Sequence, residues 1–236
     1  MPRYPKCKTA LFADDTLYYA TSKTHTSAIL ILQKQLKLAQ PWFDKWKITI
    51  NESKTSSILF TNKSPRNCPK VKIKDTEVNW SPSIKYLGIH IDKDLTFSKH
   101  VTQVVNRAKY VRHTLYPLLN KNSPLSLNLK MHLYKSYIRP IITYAGPAWN
   151  SNVQISNRKK LETFQSTTLR IITGLPWFCS NETIRNSTNT PTLQETFDHM
   201  REAAKQRIIL SHHPHILDIS TRPRTAQRFK SRPIQL

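Results

Sequence analysis

Glycine is scarce in this 236-residue chain: three residues, against 15 prolines. Tight turns that need a positive φ must therefore fall to other residues, and the many Asn, Asp and Ser are the expected carriers. Cysteine is equally sparse, since Cys7, Cys68 and Cys179 are odd in number and far apart. That spacing excludes a disulfide framework and a zinc knuckle, and fits a reduced, intracellular setting. Long apolar runs are missing too. The longest candidate, Ala28 to Leu32, is far too short to span a bilayer, and the N-terminal apolar run stops at Asp14-Asp15, so no signal peptide is read there.

Acids are the other scarcity, with 14 Asp and Glu against 37 Lys and Arg, a formal charge of +23 and a pI near 10.2. A field of that sign favours a polyanion, with nucleic acid as the leading partner and no membrane expected. The hydrophobic fraction of 38% is low but not that of a disordered chain, and five Trp, nine Tyr and eight Phe supply real packing. One or two domains are expected at this length.

Against that background, Asp14-Asp15 stands out. The β-prone runs Lys8–Phe12 and Thr16–Ala20 flank it, which predicts a hairpin with two carboxylates at its tip. Adjacent acids between apolar strands call for a compensating cation, and a divalent metal would serve. Surface turns also favour Asp for its backbone hydrogen bonding, so the pair alone is weak support.

Downstream, Ile29, Leu32, Leu36, Ala39, Phe43 and Trp46 share one helical face, with a kink expected near Gln40 because Pro41 lies inside it. Period-two runs at Ile48–Ile50 and Ser56–Phe60 predict strands around the polar turn Asn51–Thr55, and Thr61–Pro69 reads as a loop. Val71–Ile73 and Glu77–Trp80 predict a hairpin turning at Asp75-Thr76. Tyr86–Ile91 reads as a strand with Leu87, Ile89 and Ile91 on one face.

From Phe97 the period becomes helical. Val101, Val104, Val105, Ala108, Val111, Leu115 and Leu118 form one stripe, with Ser98 as N-cap. A second helix is expected from Ser126 to about Tyr144, carrying Leu129, Leu133 and Tyr137 and kinked at Pro140. A third runs from about Arg158 to Thr173 with Leu161, Phe164, Thr168 and Ile171, stopped by Gly174 and Pro176. Residues 93–178 hold thirteen Lys or Arg and only two acids, so the bundle they form is strongly basic. Thr192 and Glu195 stand at capping-box spacing and predict a further helix to about Leu210. His212-His213-Pro214-His215 reads as a helix-ending surface run, and Thr221–Leu236 as a flexible basic tail. Trp42, Trp46, Trp149 and Trp177 are expected in the core.

The order of these elements is more informative than any one of them. Phe12-Ala13-Asp14-Asp15 on a hairpin, then a helix, then Asn51–Thr55, then Lys85-Tyr86-Leu87-Gly88, then a basic bundle, resembles a reverse transcriptase. The resemblance is closest to the C-terminal half of the polymerase of a jockey-like non-LTR (LINE) retrotransposon, and it covers nearly the whole chain. Thr143-Tyr144-Ala145-Gly146 with Trp149, Phe164-Gln165 before Leu169-Arg170, and Leu175-Pro176-Trp177 match segments that recur downstream of the polymerase palm in that group.

The resemblance implies an α+β chain in three parts. Residues 1–92 would be a partial palm of antiparallel strands with one long helix, 93–178 an all-α thumb-like bundle, and 179–236 a C-terminal helix and basic tail. It implies that Asp14 and Asp15 bind Mg²⁺ (or Mn²⁺) for two-metal nucleotidyl transfer and that Lys54 acts near the leaving pyrophosphate. Tyr86, Leu87 and Gly88 would form the primer grip. Lys99, Arg107, Lys109, Arg112 and Lys135 would meet template and primer phosphates. An RNA template, a DNA primer and deoxynucleoside triphosphates are the implied partners, in a cytoplasmic and nuclear ribonucleoprotein.

Only seven residues precede Lys8, which leaves no room for the earlier palm strand with the third metal-binding Asp. Met1 is accordingly read as an internal methionine, and the isolated chain is expected to be inactive. The alternative is a catalytically silent nucleic-acid-binding remnant of a transposon polymerase.

Overall fold

The computed structural model describes residues 1–61 and 68–211, so the histidine run, the basic tail and most of the loop expected over Thr61–Pro69 lie outside the described residues. The chain is mixed α and β and divides into two compact units, Met1–Tyr86 with Asp92–Asp94, and Leu87–Ile91 with the chain from Leu95 onward.

In the first unit, β1 (Cys7–Phe12) and β2 (Asp15–Ala20) pair antiparallel in a register running from Cys7 opposite Ala20 to Phe12 opposite Asp15. The long helix α1 (His25–Lys45) follows, capped by the Thr24 hydroxyl, which accepts the Ser27 N–H. Ile29, Ala39 and Phe43 are buried as the stripe requires, whereas Trp46 is 62% exposed. No break interrupts the helix at Pro41. The carbonyl that loses its partner there belongs to Lys37, on the solvent side, where water can replace the missing N–H.

A buried Gln35 shares the inward face. Its Oε1 accepts the Tyr4 N–H at 2.6 Å and its Nε2 donates to the Pro2 carbonyl at 2.9 Å, so the segment before β1 is tied down by an amide. Two residues earlier, Gln33 donates to the Lys72 carbonyl and accepts the Lys72 N–H, as a neighbouring strand would. Lys72 lies in β3 (Val71–Ile73), which pairs with β4 (Thr76–Val78) around Lys74-Asp75, and Val71, Ile73 and Val78 are buried.

The strands expected at Ile48–Ile50 and Ser56–Phe60 do not form. Ser57 makes one bridge to Trp80, and a period-two pattern without a paired neighbour is not a strand. The strand expected across Tyr86–Ile91 is instead a hairpin, β5 (Ser83–Tyr86) and β6 (Ile89–Asp92), turning at Leu87-Gly88.

The second unit is helical: α2 (Ser98–Thr114), α3 (Tyr116–Leu119), α4 (Leu127–Leu133), α5 (Arg139–Thr143), α6 (Gly146–Trp149), α7 (Ile155–Thr173), α8 (Asn181–Ser187) and α9 (Leu193–Ile209). Val101, Val104, Val105 and Ala108 of α2, Leu161, Phe164 and Leu169 of α7, and Leu193 and Phe197 of α9 meet in one core with Tyr134, Ile138, Ile142 and Trp149. Ser98 is not the N-cap of α2. Phe97 takes that position in a left-handed conformation, and the Ser98 hydroxyl accepts a bond from Asn157 of α7 instead.

Between α4 and α5 the chain makes a π turn at Tyr134–Ile138. This wider turn lets the helix pass the ring of Pro140 without a break. The face it buries carries Met131, Tyr134 and Ile138, while Leu129 and Tyr137 of the expected stripe are more than half exposed. Both faces are apolar, so packing rather than periodicity decides between them.

The capping box of α9 is present in both directions, Thr192 with Glu195. Positive φ is taken by Ala13, Lys47, Lys74, Leu87, Leu95, Phe97, Ala145 and Asn189 besides Gly88 and Gly174. Among the described residues the expected Asn, Asp and Ser therefore carry only one such position, and Leu, Lys, Phe and Ala bear a strain of roughly 1 kcal/mol each.

Candidate active site and nucleic-acid interface

The hairpin tip is a two-residue loop, Ala13-Asp14, between Phe12 and Asp15. Ala13 sits at φ +49°, a conformation that bends the chain sharply and is unfavourable for a residue with a Cβ. Both carboxylates are exposed, and neither has an ion-pair partner among the described residues. In so basic a chain that is notable, because cations elsewhere find the acids: Lys70 and Lys72 both reach Glu77, at 3.2 and 3.5 Å, and hold its carboxyl below the usual range. The base of the hairpin is anchored. Cys7 is buried, which raises its thiol pKa, and burial pushes the Tyr18 hydroxyl up to about 12.

Two adjacent carboxylates are hard oxygen donors, and Mg²⁺ is commonly held by one or two carboxylates together with water and substrate phosphates. The donor set fits that ion. Among the described residues no group of three or more His, Cys, Asp or Glu side chains could hold a metal. Among the described residues no third acid joins the pair.

Lys54 ends a short 3₁₀ turn (Glu52–Lys54), with its ammonium exposed and its backbone N–H donated to the Asn51 side chain at 3.1 Å. That turn, not a strand end, is what presents the lysine. The Glu52 carboxylate accepts from the Thr76 hydroxyl, which joins the turn to β4.

Tyr86, Leu87 and Gly88 enclose a tight turn with φ +46° at Leu87 and +81° at Gly88. Two consecutive positive φ values match the twist of a two-residue hairpin loop. The Tyr144 hydroxyl donates to the Leu87 carbonyl at 3.2 Å, and a Cβ on Gly88 would stand 3.2 Å from the Tyr144 ring. Tyr144 is held in turn, since the Trp149 indole N–H donates to its carbonyl at 2.9 Å. The Thr143–Gly146 segment thus supports the turn from behind. In the sequence only the match of Thr143–Gly146 to recurring segments signals this, and nothing local marks Tyr144 as the support.

The basic residues of the helical unit divide by environment. Lys99, Arg107 and Lys109 are exposed on α2, and Lys135 is half-buried on the π turn. Arg112 is held within the fold: its guanidinium lies 4.9 Å from the Phe164 ring centroid, donates to the Thr168 hydroxyl at 3.3 Å, and has its pKa lowered by burial. Lys130 is buried with its ammonium on the Asn120 and Ser123 carbonyls, where it staples the α3–α4 loop. Trp149 is fully buried as expected, but Trp177 is 86% exposed. Among the described residues no helix is long and apolar enough to cross a membrane.

Residues 1–91 match the family described as reverse transcriptase (RNA-dependent DNA polymerase). The chain is 31% identical over 210 residues to the RNA-directed DNA polymerase from mobile element jockey of Drosophila melanogaster, covering 88% of this chain and 22% of that protein. It is 35% identical over 192 residues to the probable RNA-directed DNA polymerase from transposon X-element of the same organism, covering 80% and 21% respectively. The jockey polymerase of Drosophila funebris is 31% identical over 197 residues, covering 84% of this chain and 21% of its own length. The chain therefore spans about a fifth of the curated relatives it matches. No solved structure matches it.

Proposed function

From a chain whose first 91 residues belong to the reverse transcriptase family, and whose similarity to transposon RNA-directed DNA polymerases runs on through the helical unit, we infer that it serves as a palm and thumb segment of such a polymerase. The observation that carries this reading is the exposed Asp14-Asp15 pair at the hairpin tip inside the matched region, Asp14 in the strained two-residue loop and Asp15 at the start of β2.

In this reading Asp14 and Asp15 supply carboxylate oxygens to Mg²⁺ or Mn²⁺. When bound, two divalent cations polarise the phosphoryl oxygens and neutralise charge on the leaving group during nucleotidyl transfer. The strained turn holds the two carboxylates outward without a competing lysine. Lys54 offers a positive charge, and a proton, to the departing pyrophosphate. The Tyr86-Leu87-Gly88 turn, braced by Tyr144 on the side where Gly88 has no side chain, meets the primer strand. The exposed bases of α2, Lys99, Arg107 and Lys109, with Lys135, bind phosphates of an RNA template and DNA primer, and deoxynucleoside triphosphates are the substrates.

The isolated 236-residue polypeptide should not polymerise, since no third acid joins the pair among the described residues. That same fact favours the second reading, a nucleic-acid-binding remnant. Primer extension on primed RNA with Mg²⁺ separates the possibilities. The chain alone should bind the duplex and leave the primer unextended. In a longer polypeptide that extends primers, Asp14→Ala should abolish extension and leave duplex binding intact. Extension that survives Asp14→Ala would refute the metal assignment.

A further inference from the structure

The loop between α7 and α8 exposes two aromatic rings on a backbone that is otherwise tied down. Trp177 is 86% and Phe178 71% exposed, with ring centroids 6.1 Å apart and ring planes nearly perpendicular. One guanidinium organises the loop: Arg170, in the last turn of α7, donates to the Pro176 carbonyl, to the Cys179 carbonyl at 3.0 Å and to the Asn181 side chain at 3.3 Å. Leu175 packs against the core on one side of the rings, and the fully buried Ile184 of α8 anchors the other. Ser180 caps α8 by accepting the Thr183 N–H at 3.0 Å. With both flanks anchored and the Pro176 and Cys179 carbonyls engaged on either side, the two rings are held outward by construction.

A rigid, exposed tryptophan costs solubility unless something covers it. The net charge of the helical unit that carries it narrows the choice of partner. From α2 to the end of α8 the chain carries thirteen Lys or Arg against Glu162 and Glu182. An acidic or phosphate-bearing partner is attracted to such a surface, whereas a basic or neutral apolar protein face gains nothing from it. A partner that offers both flat aromatic faces and phosphates is an unpaired nucleic-acid strand. In duplex the base faces are stacked on one another and cannot reach a protein ring.

We propose that Trp177 and Phe178 form a stacking platform for an unpaired nucleotide of RNA or DNA. The ring planes are close to perpendicular, so one base lies flat on Trp177 while Phe178 walls one side of it. Arg170 acts as a positioning residue, fixing the loop rather than touching the strand. This rests on the nucleic-acid reading above and adds to it a preference for single strands at one named place.

The test measures binding of the full chain to a fluorescent oligouridylate and, separately, to an RNA–DNA duplex of equal length. Trp177→Ala should weaken oligouridylate binding about tenfold or more, the loss of one stacked base. Duplex affinity should stay unchanged, and Trp177→Tyr should restore most of the loss. The factor lost should be the same at low and moderate salt, because stacking is not screened as phosphate contacts are. Unchanged oligouridylate binding in Trp177→Ala, with Lys99→Ala/Arg107→Ala/Lys109→Ala still weakening the duplex, would overturn the platform while sparing the broader reading. In that outcome the rings would serve a protein partner. Binding to neither probe would overturn both. Since both rings face solvent, unaltered thermal unfolding of the variants is the control for folding.

Discussion

At the scale of single residues, the side chains with the strongest consequences are those whose surroundings oppose their chemistry. His100 is 2% exposed, accepts the His90 N–H at 3.4 Å and meets the Trp149 ring edge-on at 4.8 Å. Burial, with His90 as a lesser influence, lowers its pKa to about 4. The unfolded chain holds that proton near pH 6.5. Between these values the unfolded state binds a proton that the folded state refuses, so stability rises with pH across the window. The contribution is complete above about pH 6.5 and lost as pH falls towards 4. Urea midpoints should drop between pH 7 and pH 5 by an amount worth on the order of 2 kcal/mol. His100→Gln, which can still accept the His90 N–H, should flatten that dependence. An equally steep fall in the variant would place its cause elsewhere.

Residues of this kind were also the least legible from sequence. A glutamine in a helix reads as polar surface, and nothing near Gln35 in the chain signals that its amide is spent on the Tyr4 and Pro2 backbone. Tryptophan is usually a core residue and Trp177 is expected there, but its loop is fixed by Arg170, a hydrogen-bonding role that periodicity cannot express. The hairpin with Asp14 and Asp15 at its tip is legible because β-prone runs flank two adjacent acids.

At the scale of elements, the hairpin, the long helix, the helical stripe of α2 and the α9 capping box all follow from local pattern. What failed did so for want of a partner or because of a competing face. Ser56–Phe60 has strand periodicity and one bridge. The helix around Pro140 has two apolar faces, and its π turn places Tyr134 inward, with its hydroxyl on Gln165 at 2.7 Å. Close approach of elements is sharper still at Gly146, where α6 meets α9. A Cβ there would lie 2.6 Å from Cδ1 of Phe197, which is itself packed between neighbours in the core. Gly146→Ala should therefore lower stability by about 1–3 kcal/mol in denaturant unfolding, the usual range for overpacking. Phe197→Leu should recover part of the loss by making room. An Ala variant as stable as the parent would mean that the α6–α9 contact yields freely.

At the scale of the whole molecule, charge dominates. Raw counts overstate the surface available to a polyanion, because Arg112 and Lys130 are committed to internal partners. Binding to an RNA–DNA duplex should weaken linearly with the logarithm of salt concentration, with a slope of about 0.9 per phosphate neutralised as in B-form duplex. Removing Arg107 and Lys109 should reduce that slope by about two while leaving unfolding unchanged. Arg112→Ala should do the reverse, reducing stability by roughly 1–2 kcal/mol through the lost Phe164 contact and leaving the slope intact. Isothermal titration at several salt concentrations, paired with denaturant melts, reads both quantities. A slope change in Arg112→Ala without destabilisation would return that residue to the interface.

The Gln33 amide has a bearing on how copies of this chain behave together. By occupying both the N–H and the carbonyl of Lys72, it terminates hydrogen bonding at one outer position of a short strand. An open strand margin recruits further chains, and each recruit exposes a fresh margin, which is how ordered aggregates grow. A side chain that ends the ladder at its first rung makes this part of the fold a poor seed for fibrils, even in crowded solution.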